Sequence, residues 1–170
     1  MRNAFATAHT VEQVRTYFMK TGKSFVLTIL FWLNFAVFAI HVVEETELQG
    51  GLVVFVQKFF WAGFRLTDFF QANAVWLTAI AVSNILYDVV GDRLKFMVAI
   101  PMFFVWERCF NALSHVFLTF YSNAYCPGLF TGLIFFVLLY FVIRFAVLKG
   151  QMRPVLFFLS GIPALIFETI

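Results

Sequence analysis

The sequence predicts an all-α fold: an integral membrane helical bundle with four or five transmembrane helices and an N-terminal amphipathic helix. Three observations predict it. Of 170 residues, 62% are apolar and only 12% are charged, against roughly 45–50% and about 25% in soluble domains. Mean hydropathy is +0.90. The apolar residues also fall into runs close to the ~20 residues that a bilayer crossing requires. This composition excludes a soluble globular domain and a disordered chain. The net charge of +3 rests on 12 basic residues, too few for a nucleic-acid partner. Cys109 and Cys126 form neither a disulfide framework nor a metal knuckle.

Residues 1–23 read as a polar segment without a cleavable signal peptide. Thr10 with Gln13 fits a capping box, and Val11, Val14 and Phe18 share a helical face, as expected for a helix lying in the membrane interface. Residues 24–170 form a single transmembrane domain. Its first span runs from Ser24 to about Glu45. Leu52 to Phe64, after Gly50-Gly51, is too short to cross and reads as an interfacial or re-entrant helix. The second span runs from about Ala72 to Val90, behind a cap at Thr67 or Asp68. The third covers Phe96 to about Tyr121 and the fourth Gly128 to Leu148. The last apolar run, Pro154 to Ile170, contains Pro163 and either crosses or remains a re-entrant stub. If it crosses, Glu168 returns to the side of the polar cluster described below.

Lys and Arg set the orientation. Arg2, Arg15, Lys20 and Lys23 precede the first span, Lys58 and Arg65 lie between the first and the second, Arg93 and Lys95 join the second to the third, and Arg144, Lys149 and Arg153 close the fourth. A cytoplasmic N-terminus places most of this charge inside, and a bacterial inner membrane is the expected location.

Ionisable residues within spans are costly and are functional candidates by default. Here they form two groups: His41-Val42-Val43-Glu44-Glu45 on the first span, and Glu107, Asn111 and His115, spaced by four, on the third. His41 and Glu45 share a helix face. At about 1.5 Å per residue, His41 lies ~25 Å along its span and His115 ~28 Å along its own, so the two polar stripes meet at one depth. Imidazole and carboxylate on facing helices suit a divalent metal: zinc, iron or manganese. The H-x-x-E-E order resembles the H-x-x-E-H inverzincin pattern, with His41 and Glu45 as ligands and Glu44 as a general base. His115 is a further ligand, and Glu107 a ligand or its supporting partner. Asn111, Asn73 and Thr131 are supporting polar residues, Asn73 equally readable as a helix-end group. For Thr131 a bond back to its own helix is the default. Arg108 points away from this stripe and reads as a separate pair or a snorkelling side chain. A metal-free hydrogen-bonded network is the alternative for the whole cluster.

The H-x-x-E-E element, Asn111-Ala112-Leu113-Ser114-His115, and Tyr125-Cys126-Pro127-Gly128-Leu129-Phe130-Thr131 occur in that order. Together they resemble the HXXEE-domain family of small multi-pass membrane proteins over roughly residues 30–148. The resemblance implies an architecture and a polar set without an established activity. Cys126 stands where that pattern more often has Ser. Two functions remain open. One is a metal-dependent, hydrolase-like membrane enzyme acting on a lipid or apolar substrate. The other is an accessory subunit beside other membrane subunits, or a small proton-coupled carrier.

Overall fold

A computed structural model describes residues 25–91, 94–148, 150 and 152–168. The expected N-terminal amphipathic segment and the side chain of Glu168 lie outside the described residues. Six α-helices and no strands occur among the described residues: α1 (Phe25–Glu47), α2 (Gly51–Phe59), α3 (Leu66–Val90), α4 (Ala99–Ser122), α5 (Leu129–Val142) and α6 (Pro154–Glu168). Four segments are long and apolar enough to cross a membrane: Phe25–Glu47, Leu66–Val90, Phe96–Ser122 and Leu129–Val147. The architecture is that of an integral membrane helical bundle.

The helix starts and stops follow local chemistry. Gly50 and Gly51, at φ 86° and 83°, reverse the chain after α1. A Cβ on Gly51 would lie 2.8 Å from the Thr46 carbonyl oxygen, so this reversal requires glycine. The nine-residue α2 is, as expected, too short to cross. α3 starts earlier than the sequence indicates: its N-cap is Arg65, not Thr67 or Asp68. The Arg65 guanidinium donates to Asp68 at 2.9 and 3.0 Å, which places an acidic group against the helix N-terminus. Asn123, at φ 50°, closes α4 in the left-handed conformation that Asn tolerates. α5 continues into a π-helical turn over Ile143–Val147.

The bundle is arranged around α1 and α4. α1 packs on α3 and α5, while α4 packs on α5 and α6. Leu27, Phe31, Phe38, Met102, Val105 and Phe135 fill the apolar core. Gly132 lets α5 approach α4 closely, since a Cβ there would stand 3.3 Å from Ala112 Cβ; small residues serve this purpose where lipid gives no hydrophobic drive. Large apolar side chains such as Phe117, Phe120 and Phe130 point outward, while Asn34, His41, Glu45, Asn84, Glu107 and His115 are buried. This inversion follows from a solvent that solvates Phe and cannot solvate Glu. The 15 residues of α6 span only ~22 Å, less than the ~30 Å hydrocarbon core. α6 packs along α4, where the Trp106 indole N–H donates to the Phe157 carbonyl at 3.0 Å, and its last turn brings Phe167 against Trp76 and to a cavity that Glu45 also lines.

Trp32 and Thr28 donate to Asp88 at 2.8 and 3.3 Å, and Asn84 donates to the Phe31 carbonyl at 3.0 Å. These bonds tie α3 to α1 at the end of the bundle away from His41.

Candidate metal centre

His41 and Glu45 project from one face of α1, one turn apart, and His115 projects from α4. All three are buried, and one ligand atom from each lies within 4.8 Å of the others. Glu45 Oε1 stands 3.4 Å from His41 Nε2 and 3.2 Å from His115 Nε2. The two imidazoles meet edge to face, with centroids 5.0 Å apart. Asn111 Oδ1 is 3.2 Å from His41 Nε2. Two ligands of a tetrahedral ion with ~2.05 Å bonds are themselves about 3.3 Å apart, so these separations suit a shared cation.

Glu44 faces a different neighbour. Its Oε1 accepts from the backbone N–H groups of Gly128 and Phe130 at 3.1 and 3.0 Å, and its Oε2 from that of Thr131 at 2.7 Å. The hydroxyls of Tyr125 and Thr131 donate to it as well. These backbone groups are the start of α5, whose N-cap residue is Gly128 and has no side chain to cap with. A carboxylate from another helix therefore supplies the anion that this helix N-terminus favours. The motif order suggests a general base at Glu44; in the structure both oxygens of Glu44 are engaged in holding α5.

Thr131 connects the two halves of the motif. The expected bond back to its own helix does not form. Its hydroxyl lies 2.7 Å from His41 Nδ1 and donates to Glu44. A hydroxyl carries one proton, so with that proton on Glu44 the oxygen accepts from His41 Nδ1–H. This tautomer leaves Nε2 of a neutral His41 with its lone pair directed at Glu45 and Asn111. The other imidazole has its Nδ1 3.3 Å from Cys126 Sγ. Burial first, and then the Glu45 and Glu44 carboxylates, push the Cys126 thiol up to about 12, so it remains a thiol beside His115. Burial and the bond to Glu44 likewise push the Tyr125 phenol up to about 12, keeping it a donor. Tyr125→Phe is expected to cost about 1.5–3 kcal/mol, the range for a hydrogen bond to a charged group, read as a lower thermal midpoint in detergent.

Gly128 holds the geometry together. It sits at φ 97°, and a Cβ there would lie 2.6 Å from His115 Cε1 and 2.8 Å from His41 Cε1. No residue with a side chain fits between the two imidazoles.

Two expected participants stand apart from the three-residue cluster. Glu107 is buried and receives the Arg108 guanidinium in a two-pronged pair. Arg108 also lies 4.0 Å above the Phe38 ring, so it is a buried separate pair rather than a snorkelling chain. Asn73 donates to its own helix at the Phe69 carbonyl, 3.0 Å away. Both residues, with Glu45 and Asn111, line a cavity of about 250 Å³. They border the site without joining it.

A family described as "Protein of unknown function with HXXEE motif" matches residues 32–143. The chain belongs to this family. No curated protein and no solved structure matches the chain. The geometry gives the family's defining letters a physical sense: His and the second Glu face the centre, and the first Glu seats the helix that orients the His.

Proposed function

We propose that the protein is a membrane-embedded, metal-dependent enzyme with hydrolase-like chemistry on a lipid or other apolar substrate. One observation carries this reading. With Nδ1–H of His41 directed to Thr131, the atoms facing one another at 3.2–3.4 Å are His41 Nε2, Asn111 Oδ1 and Glu45 Oε1, with His115 Nε2 beside them. His41 Nε2, Asn111 Oδ1 and Glu45 Oε1 then accept, as does His115 Nε2 when its proton is on Nδ1 toward Cys126, and a cation at their centre would satisfy all four. His41, His115 and Glu45 would hold it. Two imidazoles and one carboxylate form the three-ligand set that leaves a coordination position open, as catalytic zinc sites do; iron or manganese also suits these donors. A divalent ion would supply Lewis acidity at this position. Glu44 and Thr131 fix the His41 tautomer, a supporting part that ligating histidines commonly require. The cavity beside Glu45 gives room for a reacting group. We place the N-terminus in the cytoplasm, in a bacterial inner membrane, from the Lys and Arg distribution; the site then lies toward the outer leaflet.

A second reading has support of its own. Glu45 is at ion-pair distance from both imidazoles, so an added proton on His41 would satisfy the same acceptors. That is the metal-free network of an accessory subunit or proton-coupled carrier. Chelation separates the two. The metal reading expects the thermal midpoint to fall after dialysis against a chelator and to recover with zinc, iron or manganese. A midpoint indifferent to both treatments contradicts it.

A further inference from the structure

Arg108 is clamped by its neighbours. Its guanidinium lies 4.0 Å over the Phe38 ring and 5.7 Å from that of Trp76. Its Nε and Nη2 donate to the two oxygens of Glu107. A guanidinium has five N–H donors and a second edge that can grip an anion. That edge, Nη1 with the other N–H of Nη2, has no partner among the described residues. Arg108 is only 4% exposed. Yet Asn34 Oδ1 is the one fully enclosed side-chain polar atom without a partner among the described residues. Nη1 therefore opens onto free space, and Arg108 lines the chamber of about 250 Å³ beside Glu45. Asn111 lines it too. Its Oδ1 is turned to His41, and its NH₂ is likewise without a partner among the described residues.

Charge and donors both favour an anion in this chamber. Its charged walls are Glu45, Glu107 and Arg108. With the proposed divalent ion at Glu45, the ion and Arg108 carry one positive charge more than the two carboxylates cancel. Weakly polar surroundings make that excess costly to leave unmatched. The open guanidinium edge adds the fork that carboxylates and phosphates fit. Hydrolysis chooses between these two. A carboxylate has no bond for water to cleave. A phosphodiester keeps one negative charge on two free oxygens and still has ester bonds to break.

We propose that the chamber binds a phosphodiester, with one free oxygen toward the divalent ion at Glu45 and the other on the open edge of Arg108. The assignment names a substrate class for the metal site and rests on that reading. Glu107 and Phe38 are positioning residues: they fix the guanidinium before the substrate arrives, so little ordering is left for binding. Cleavage needs water alone. The water oxygen joins phosphorus, one P–O ester bond breaks, and the departing oxygen takes a proton from the water.

The test uses the full chain in neutral detergent, supplied with zinc. Calorimetric titration compares diethyl phosphate with triethyl phosphate, its uncharged triester. Diethyl phosphate is expected to bind about tenfold or more tightly, the worth of one hydrogen bond to a charged group. Arg108→Gln alone would leave Glu107 a buried unpaired charge, so the second sample is the Glu107→Gln/Arg108→Gln double variant, which removes both charges together. It should retain zinc and helical content and lose about tenfold or more in diethyl phosphate affinity. The comparison of the two esters in the unaltered protein stands whether or not this variant folds. A further arm separates the sources of the diester. Displacement of diethyl phosphate by lysophosphatidylglycerol more than by glycerophosphoglycerol identifies a membrane lipid, and equal displacement a soluble diester. Equal affinity for the two ethyl esters overturns the proposal, as does undiminished binding in the folded double variant. Zinc analysis of the same samples separates the two readings. Bound zinc with equal affinities defeats the phosphodiester site and leaves the metal centre, and diethyl phosphate held by a protein that takes up no zinc does the reverse.

Discussion

Gly128→Ala is expected to destabilise the protein by about 3 kcal/mol or more and to abolish the His41–His115 arrangement. Two costs combine. A non-glycine residue at φ 97° is strained by ~1–3 kcal/mol. The new methyl must also displace two buried imidazole rings, and overpacking of this kind adds ~1–3 kcal/mol. Neither ring can yield without breaking its bond to Thr131 or Cys126. Gly150 supplies the control. It too has a positive φ, of 70°, yet nothing lies within 4 Å of an added Cβ. Gly150→Ala should therefore show the backbone cost alone, ~1–2 kcal/mol. Thermal unfolding of both variants in one detergent checks the difference, and equal losses would mean that the imidazoles are not closely packed on Gly128.

Glu44→Gln is the second large effect, and it should act at a distance. One carboxylate oxygen becomes an NH₂ that cannot accept from the donors at the start of α5, leaving buried N–H groups unpaired at ~1–3 kcal/mol each. With the amide NH₂ beside Thr131, the threonine hydroxyl turns to donate to His41 Nδ1. The imidazole then carries its proton on Nε2, where the proposed ion would bind. Thr131→Val tests the same chain more gently, since it keeps the shape and removes only the hydroxyl. Both variants are expected to lower metal affinity by the 10–100-fold typical of lost supporting partners, although neither residue is a proposed ligand. Unchanged affinity in Thr131→Val would remove the tautomer from the account.

Much of this fold was legible because lipid makes burial rules stark. Apolar runs gave the four long helices, and the four-residue spacing of Glu107, Asn111 and His115 placed a polar stripe that does meet His41. Three features were less visible. Glu44 looked free because periodicity marks only which face a residue occupies, and the donors that hold it come from a helix start 84 residues away. A signal was present: α5 begins at Pro127-Gly128 with no capping side chain, which leaves N–H groups in need of an outside anion. That Glu107 is held by Arg108 and not by the cluster was hidden, because adjacent residues point about 100° apart on a helix and only the length of the Arg108 side chain brings the two together. The Trp32–Asp88 bond had no sequence signature, since it depends on how α1 and α3 are rotated against each other.

The central claim is that His41, Glu45 and His115 hold a divalent ion. Elemental analysis of the purified protein beside His41→Ala, Glu45→Gln and His115→Ala tests it most directly. The account predicts near-stoichiometric metal in the unaltered protein, lost in each variant while the helical content is retained. A folded, unaltered protein that contains no metal and takes up none when zinc, iron or manganese is supplied would contradict it.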